Sequence, residues 1–290
     1  MSDRPVRARR SLIFAPGDKP AMYPKALATG ADMVCVDIED AIAPHDKDAA
    51  RARTLALFAE PQADDGVERI VRINSLRTAD GLKDVSAILE SPTPPPALMV
   101  PKVKCADEVR LLADLLAGGA CADIRLHVII ETNDGLDAAF DIARASARMD
   151  SLLFGAVDMA AELRTTLAWE SLLYARSRLV HAAAGAGLDL IDVPFLDLED
   201  PEGLAEEARR AAALGFTGKA AIHPRQIAPI NRAFSPRAEE VERARRIIAA
   251  FEQSRTGLVV VDGKLIERPV LRSMYRTVAI AERIGASGMG

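Results

Sequence analysis

Acidic side chains recur where short apolar runs of the sequence end, and five carboxylates share this placement: Asp37, Glu39, Asp40, Glu131 and Asp158. Carboxylates that converge on one site repel each other unless a cation or protons share the site. Oxygen ligands without a nearby pair of His or Cys residues favour Mg²⁺, or Mn²⁺ in its place. We expect Glu131 and Asp158 to be the metal ligands, although several of these acids can equally be helix caps or solvated loop charges.

Two basic side chains stand among these acids. Arg72 lies at the end of an apolar run, and Lys102 follows Pro101 at the end of another. A buried guanidinium needs an anionic partner, which either a substrate carboxylate or an internal ion pair with Asp37 or Glu39 would provide. Arg72 can form the internal ion pair and also bind the substrate carboxylate. The same two interpretations apply to Lys102.

The histidines carry less information. None of the four, His45, His127, His181 and His223, shows ligand spacing such as a helical i, i+4 pair. The sequence therefore argues against a zinc site. We expect His223, which precedes Pro224, to organise its loop and not to act as a general base.

The elements that must position these side chains follow a repeating pattern. Short apolar runs alternate with longer amphipathic stretches, which is typical of βα units. The predicted strands cover residues 11–15, 33–38, 69–73, 97–101, 126–130, 152–155, 188–193 and 218–222. The predicted helices between them include residues 46–58, 107–116, 136–147 and 202–214. Eight such units predict a closed (β/α)8 barrel of the TIM type, with its active site at the carboxyl ends of the strands.

The pattern changes after the eighth strand. A charged helix is predicted over residues 235–255, a hairpin over 258–266 that turns at Asp262-Gly263, and a last helix over 270–284. We therefore predict an α/β protein with two domains. The first is the barrel over residues 1–234, and the second is a C-terminal helix-hairpin-helix lid over residues 235–290.

The composition excludes several classes of protein. With 49% hydrophobic and 27% charged residues, the chain of 290 residues falls in the soluble globular range. Its formal net charge of −5 argues against nucleic acid or a membrane surface as a general partner. Three cysteines are too few for a disulfide scaffold, and the first residues lack the apolar region of a signal peptide. We expect a cytoplasmic protein.

Short motifs along almost the whole chain resemble those of the citrate lyase β-subunit-like family, which includes malyl-CoA and citramalyl-CoA lyases. The motifs are RSLIFAPG (residues 10–17), DIEDA (37–41) with Pro44 and Lys47, VRIN (71–74), PKV (101–103), IET (130–132), GAVD (155–158), and GFTGK (215–219) before IHP (222–224). Each motif is weak alone. Seven in the family's order make the resemblance specific.

The resemblance implies a TIM barrel with Mg²⁺ held by Glu131 and Asp158. It also implies that Arg72 contacts the substrate's oxygens, with Asp37 and Glu39 in the same substrate site. The implied reaction is the reversible aldol- or Claisen-type cleavage of a 3-hydroxy-dicarboxylyl-CoA thioester, such as malyl-, citramalyl- or citryl-CoA. Its products are an acyl-CoA and a 2-oxo acid.

The resemblance further implies that coenzyme A lies over the barrel mouth, with Arg10 and Lys19 as its binding residues. Glu267 stands where relatives carry an Asp in the lid motif of residues 262–269, which makes it the implied proton-transfer residue. The implied assembly is a homotrimer or hexamer in which the lid covers a neighbour's site. Val157 is a second departure, because many relatives have an acid there.

Three alternatives stay open at this point. The same site with a lid carboxylate that activates water would be a thioesterase acting on malyl-CoA. The chain would otherwise be a citrate lyase β-type subunit that needs an acyl-carrier partner. The replacements at Glu267 and Val157 also fit an inactive relative that only binds its ligand.

Overall fold

Segments of four to six residues, rich in aliphatic side chains, form the strands of a closed parallel barrel, and most of their side chains are buried, as expected when helices cover a parallel sheet. The computed structural model describes residues 7–254 and 258–287. The barrel strands are β1 (Ser11–Pro16), β2 (Met33–Asp37), β3 (Glu68–Arg72), β4 (Ala97–Val100), β5 (Arg125–Ile130), β6 (Met149–Phe154), β7 (Asp189–Asp192) and β8 (Gly218–Ala221). Each pairs in parallel with the next, and β8 pairs with β1. All eight predicted strands are confirmed, with ends that shift by at most three residues.

The barrel interior is packed with side chains. One buried cluster takes members from all eight strands: Leu12, Met33, Cys35, Ile70, Ala97, Met99, Ile129, Leu153, Ile191 and Ala220. Such a filled interior leaves no pore, so the strand ends are where ligands can bind.

The helices that connect the strands are α1 (Met22–Leu27), α2 (Lys47–Ala56), α3 (Ala79–Glu90), α4 (Ala106–Leu115), α5 (Asn133–Asp137), α6 (Ala139–Ala143), α7 (Ala156–Leu163), α8 (Trp169–Ala186), α9 (Pro201–Leu214) and α10 (Ile227–Phe234). Three of the four helices predicted within the barrel are confirmed as α2, α4 and α9. The fourth, predicted as one helix over residues 136–147, is confirmed only in part, because the structure has two short helices here, α5 and α6, and the second ends at Ala143. Thr132 starts a helix earlier, because its hydroxyl accepts a hydrogen bond from the backbone N of Gly135 at 3.0 Å, and α5 and α6 are short.

Residues 9–233 form one compact unit, and the described residues from Phe234 onward, together with residues 7 and 8, belong to a second. The second unit contains α11 (Ala238–Gln253), β9 (Leu258–Val261), β10 (Lys264–Glu267) and α12 (Arg268–Ser287). The predicted hairpin is confirmed. Asp262 and Gly263 have φ angles of 50° and 71°, which suit a two-residue turn between antiparallel strands.

In the described residues, no helix combines the length and the apolar character that crossing a bilayer requires.

Candidate active site at the barrel mouth

Asp37 and Arg72 form the first ion pair at the barrel mouth, by which we mean the carboxyl ends of the eight strands. They are the last residues of β2 and β3 and stand in register. Arg72 Nε and Nη2 donate to the two oxygens of Asp37 at 2.7 and 2.6 Å. Asp37 also accepts from the backbone N of Glu39 and Ala41. The internal ion pair considered from the sequence is therefore present, and it fixes the plane of the guanidinium.

The third nitrogen of that guanidinium points elsewhere. Arg72 Nη1 lies 3.3 Å from Glu39 Oε2, and the guanidinium carbon lies 5.0 Å from the centre of the Phe14 ring. Burial by itself would lower the pKa of Arg72, but its hydrogen bonds with Asp37 and the charges of Asp37 and Glu39 raise it overall. Arg72 is thus a permanent cation held rigidly at the mouth.

Lys102 is a second cation at the mouth. Its Nζ donates to Glu39 Oε1 at 2.8 Å and to Asp40 Oδ1 at 3.2 Å. Its backbone has a φ of 55°, a left-handed conformation that is uncommon for a residue other than glycine. In this conformation the backbone N of Lys102 donates to Glu131 Oε1 at 2.8 Å. One residue therefore neutralises Glu39 and orients Glu131.

Glu131 and Asp158 differ from the other acids because neither has a cationic side chain within ion-pair distance in residues 7–254 and 258–287. Glu131 follows β5 and is only 3% exposed, and Asp158 lies in the first turn of α7. Burial raises the pKa of Glu131 to about 8, helped by the charges of Glu39 and Asp158 and by a hydrogen bond with Asp158. Two carboxyl groups pressed together in this way must share a proton or a cation.

Gly155 makes room for this pair. A Cβ atom at Gly155 would lie 2.4 Å from Glu131 Cβ, so a larger residue would push Glu131 away. Glu39 adds a third carboxylate, since its Oε2 is buried and accepts no hydrogen bond from the described residues, although Arg72 Nη1 lies nearby. The oxygen-rich donor set fits a hard divalent cation such as Mg²⁺.

A hydrogen-bond network that the sequence did not predict supports the Ile38–Glu39 backbone. Lys47 Nζ donates to the carbonyls of Ile38 and Glu39 at 3.0 and 2.5 Å and to Asn74 Oδ1 at 2.7 Å. Asn74 Nδ2 in turn donates to the Ile38 carbonyl and to Asp84 Oδ2. Asp84 lies with Gly81 and Val85 on the buried side of α3. A carboxylate on the apolar face of an amphipathic segment is the one feature of the sequence that could have indicated this network.

The residues expected to bind coenzyme A lie at opposite ends of the barrel. Arg10 precedes β1 and pairs with Asp32, which precedes β2, through Nε and Nη2 contacts of 2.8 and 2.7 Å. Residues before parallel strands lie at the amino ends, so the prediction for Arg10 is corrected: it is a structural ion pair away from the mouth. Lys19 follows β1 on the mouth side and is exposed.

Glu267, the residue expected to transfer the proton, ends β10 in the second unit and is exposed.

A second polar cluster lies at the amino ends of the strands. Carboxylate and imidazole atoms of Glu68, His127 and Asp150 come within 4.8 Å of one another, which is close enough to hold a metal ion. Arg9 already fills this position, because it donates to Glu68 and Asp150 at 2.6 Å and to Asp189 at 3.0 Å. Spacing along the sequence could not reveal this cluster, since its members come from separate strands.

His223 has the role that the sequence predicted. Its Nδ1 accepts from the backbone N of Arg225 at 3.1 Å, and Gln226 Oε1 accepts from the backbone of Ile222 and His223. These contacts cap the 3₁₀ turn Pro224–Gln226.

A closed (β/α)8 barrel with acids and an arginine at its mouth is the architecture of a barrel enzyme. The family model described as HpcH/HpaI aldolase/citrate lyase matches residues 10–224, which include all the mouth residues named above. The chain belongs to the HpcH/HpaI aldolase/citrate lyase family.

Similar proteins narrow the class further. The chain is 35% identical over 311 residues to an L-malyl-CoA/beta-methylmalyl-CoA lyase of Cereibacter sphaeroides, with 97% of each chain covered. It is 33% identical over 287 residues to the citrate lyase subunit beta of Leuconostoc mesenteroides subsp. cremoris, with 95% of this chain and 94% of the relative covered. A crystal structure of CitE from Mycobacterium tuberculosis with magnesium, acetoacetate and coenzyme A matches with a TM-score of 0.75 and 31% identity, covering 96% and 98% of the two chains. The chain is thus a member of a family of CoA-ester lyases.

Proposed function

We propose that this chain is a Mg²⁺-dependent carbon–carbon lyase. Its substrate would be a 3-hydroxy-dicarboxylyl-CoA thioester, which it splits reversibly into an acyl-CoA and a 2-oxo acid. The observation that carries the proposal is the Glu131–Asp158 carboxylate pair, of which Glu131 is buried and Asp158 half-buried. In the described residues neither acid has a cationic partner, and both stand at the same mouth as the fixed Arg72 guanidinium. The magnesium, acetoacetate and coenzyme A bound by the similar CitE protein support it.

Glu131 and Asp158 would hold the metal ion, for which Mn²⁺ can substitute. When bound, Mg²⁺ supplies a Lewis acid that lowers the cost of negative charge on the substrate's hydroxyl and carboxylate oxygens. The backbone N of Lys102 keeps Glu131 in its position, and Gly155 allows the close approach.

Arg72 would orient the substrate through hydrogen bonds to its oxygens. Asp37 holds two of the guanidinium nitrogens, so the remaining donors keep a fixed direction and little order is lost on binding. Lys102 compensates Glu39 and thereby limits repulsion between that acid and an anionic substrate. Lys19, exposed on the mouth side, is a candidate contact for the phosphates of coenzyme A.

Glu267 would carry the proton. Cleavage requires that the hydroxyl proton leaves as the carbon–carbon bond breaks and that a proton reaches the α-carbon of the departing acyl-CoA, and one carboxylate can serve both steps. Glu267 shares a face of the hairpin with three exposed aliphatic side chains, Leu258, Val260 and Leu265. Such a face is suited to cover another surface. We therefore propose a trimer or hexamer in which this hairpin closes over a neighbour's mouth.

A second candidate is favoured by the relative named as a subunit of citrate lyase. In that case the chain would act only on an acyl group presented by a carrier partner. The residues at the mouth would keep the roles given above.

Product analysis of the purified chain tests the proposal. Malyl-, citramalyl-, citryl- and hydroxymethylglutaryl-CoA would be incubated with Mg²⁺, and the products identified. Acetyl-CoA with glyoxylate from malyl-CoA supports lysis, whereas free CoA with malate indicates a thioesterase. An absence of turnover on every free thioester would contradict the proposal and favour the carrier-dependent subunit or a relative that only binds.

The proton-transfer role predicts a large loss in Glu267→Ala, on the order of 10²- to 10⁴-fold in kcat, with Mg²⁺ and thioester binding retained. Glu267→Asp should keep most of the activity. Mixing Glu267→Ala with Glu131→Gln chains should recover part of the rate if the lid acts between subunits, because some sites then combine an intact mouth with an intact lid. Full activity of Glu267→Ala would remove this residue from the mechanism.

A further inference from the structure

Glu39 has an unusual environment among the acids of the barrel mouth. It is 5% exposed, and its Oε1 accepts a hydrogen bond from Lys102 Nζ at 2.8 Å. Its Oε2 is buried and accepts no hydrogen bond from the described residues, while Arg72 Nη1 lies 3.3 Å away. A buried carboxylate oxygen without a hydrogen bond is costly, so it persists only where the surrounding structure fixes its position.

Lys47, the first residue of α2, holds the backbone of this acid. Its Nζ donates to the carbonyls of Ile38 and Glu39 at 3.0 and 2.5 Å and to Asn74 Oδ1 at 2.7 Å. An ammonium group has three donors, and these three acceptors use all of them. None of the acceptors is a carboxylate, and Lys47 forms no salt bridge within residues 7–254 and 258–287. Lys47 therefore fixes the path of the chain at two consecutive carbonyls and does not balance the charge of an acid.

Asn74 fixes the position of the Lys47 ammonium in turn. Asn74 is 5% exposed, and its Nδ2 donates to the Ile38 carbonyl at 3.0 Å and to Asp84 Oδ2 at 2.7 Å. A flipped amide would turn its N–H groups toward the ammonium and its oxygen toward the carboxylate, and both pairings are repulsive. The amide of Asn74 therefore has one orientation.

Asp84 on α3 anchors that amide and is fully buried. Its Oδ2 also accepts from the backbone N of Asn74 at 2.7 Å, and its Oδ1 accepts from Arg51 Nε at 2.6 Å. Gly81 allows α3 to approach, because a Cβ atom there would lie 2.1 Å from the carbonyl oxygen of Ser75. Hydrogen bonds thus run from α3 to the mouth through a relay of three side chains, Asp84, Asn74 and Lys47.

We propose that this relay positions the Glu39 carboxylate between Lys102 and Arg72, and that turnover requires this placement. The catalytic part of the inference rests on the proposed function, in which Arg72 orients the substrate. Without the hydrogen bonds of Lys47, the two carbonyls are released and the charge of Glu39 moves away from both cations. A displacement of about 1 Å at a reacting site can lower the rate about 100-fold.

Crystal structures of two variants test the positioning independently of the reaction. Lys47→Met keeps a long side chain and removes its donors. Lys83→Met is the matched control, because Lys83 is exposed and pairs with Asp48, an acid outside the relay. The distance from Glu39 Oε1 to Lys102 Nζ should exceed about 3.5 Å in Lys47→Met, beyond hydrogen-bond reach, and should stay near 2.8 Å in Lys83→Met. An unmoved Glu39 carboxylate in Lys47→Met would overturn the inference.

A double-mutant cycle tests the catalytic part with a thioester that the wild-type chain cleaves. Lys47→Met and Glu39→Gln should each lower kcat/KM about 10- to 100-fold. The variant with both changes should match Glu39→Gln within about twofold, because a relay that acts through Glu39 has no further effect once that carboxylate is lost. Lys83→Met should keep the wild-type kcat/KM. Losses that multiply in the double variant, or a wild-type kcat/KM in Glu39→Gln, would overturn the inference.

Asp84→Asn tests the far end of the relay. It keeps the size of the side chain but replaces one acceptor oxygen by a donor, so kcat/KM should fall in the wild-type background and not in the Glu39→Gln background. Asp48→Asn is its control, because Asp48 also pairs with Arg51, at 2.6 Å, but lies outside the relay, and this variant should keep the wild-type kcat/KM. Circular dichroism checks the fold of each variant. If Lys47→Met and Asp84→Asn both unfolded, the relay would serve folding and the inference would fail.

Failure of this inference is distinguishable from failure of the proposed function. If the wild-type chain cleaves none of the four thioesters, the lyase proposal fails and the catalytic part of the inference fails with it. The two crystal structures still decide whether the relay positions Glu39. If the wild-type chain is active and Lys47→Met keeps its kcat/KM, the relay is overturned while the lyase proposal stands.

Discussion

The two ends of the barrel both gather buried carboxylates around an arginine, yet they balance charge in opposite ways. At the amino ends, Arg9 contacts Glu68, Asp150 and Asp189, and Arg125 also pairs with Asp150. Although burial opposes the effect, the charges of His127 and Arg9 hold the pKa of Glu68 well below its usual range. Every acid named here has a basic partner.

The mouth has acids in excess of its cations. Arg72 is committed to Asp37, and Lys102 to Glu39 and Asp40, which leaves Glu131 and Asp158 to each other. The pKa of Glu131 rises to about 8, whereas that of Glu68 falls. A carboxylate cluster alone therefore does not define a metal site. The shortage of basic partners is what makes the mouth, and not the amino end, receptive to a cation.

Removal of the metal ligands should give the largest effect. Glu131→Gln combined with Asp158→Asn should reduce turnover on the order of 10³-fold or more, since the Lewis acid is lost. Circular dichroism should show an intact fold, because in residues 7–254 and 258–287 neither side chain has a cationic partner that would be left unpaired. Glu68→Gln is the matched change at the other end. If Glu68→Gln abolished the metal-dependent rate while the double variant kept that rate, the metal site would lie at the amino ends of the strands and not at the mouth.

Removal of Arg9, the cation at the amino ends of the strands, should lower the stability of the fold and leave catalysis unchanged. Arg9→Met leaves three buried acids without their shared partner and should lower the free energy of unfolding by about 3–5 kcal/mol, as measured by urea denaturation. Activity per folded molecule should persist. An unchanged urea midpoint would show that the cluster does not stabilise the barrel.

A smaller effect is expected for Arg72→Lys. A lysine keeps the charge but not the planar fork, so kcat/KM should fall about 10- to 100-fold while thermal stability changes little. Near-normal kcat/KM would restrict Arg72 to its ion pair with Asp37. Arg10→Lys is the control at the amino end and should leave kcat/KM unchanged.

The comparison also explains which features the sequence could predict. Eight strands were recognisable because each contains a short apolar run, and Asp37, Arg72 and Glu131 were recognisable because they end or follow such runs. The cluster around Arg9 depends on residues that approach only when the barrel closes. The roles of Lys47 and Asn74 depend on the path of a loop, and no local pattern encodes that path.

The same reasoning missed the start of α5. Thr132 is a good N-cap residue, but it directly follows Glu131, and the apolar periodicity used for the prediction begins only at Leu136. The position of Arg10 was missed for another reason. A motif that is contiguous in sequence, residues 10–17, spans β1 from the amino end to the mouth, so its first and last residues lie at opposite ends of the barrel.

The raised pKa of Glu131 has a definite consequence for stability without metal. The folded state binds this proton up to pH about 8, whereas an unfolded carboxyl releases it near 4.5. The folded state therefore holds more protons between these pH values, and the stability of the metal-free chain should fall as the pH rises through this window. A cation that replaces the proton should remove this loss.

Magnesium titration by calorimetry, in buffers of different ionisation enthalpy, tests the central assignment most directly. At pH 7 the wild-type chain should bind one Mg²⁺ and release up to about one proton, because the carboxyl group of Glu131 must ionise to bind the metal. Glu131→Gln should lose this binding, and Glu68→Gln should retain both the binding and the proton release. Retention of Mg²⁺ binding in Glu131→Gln together with its loss in Glu68→Gln would contradict the account and place the cation at the amino end of the barrel.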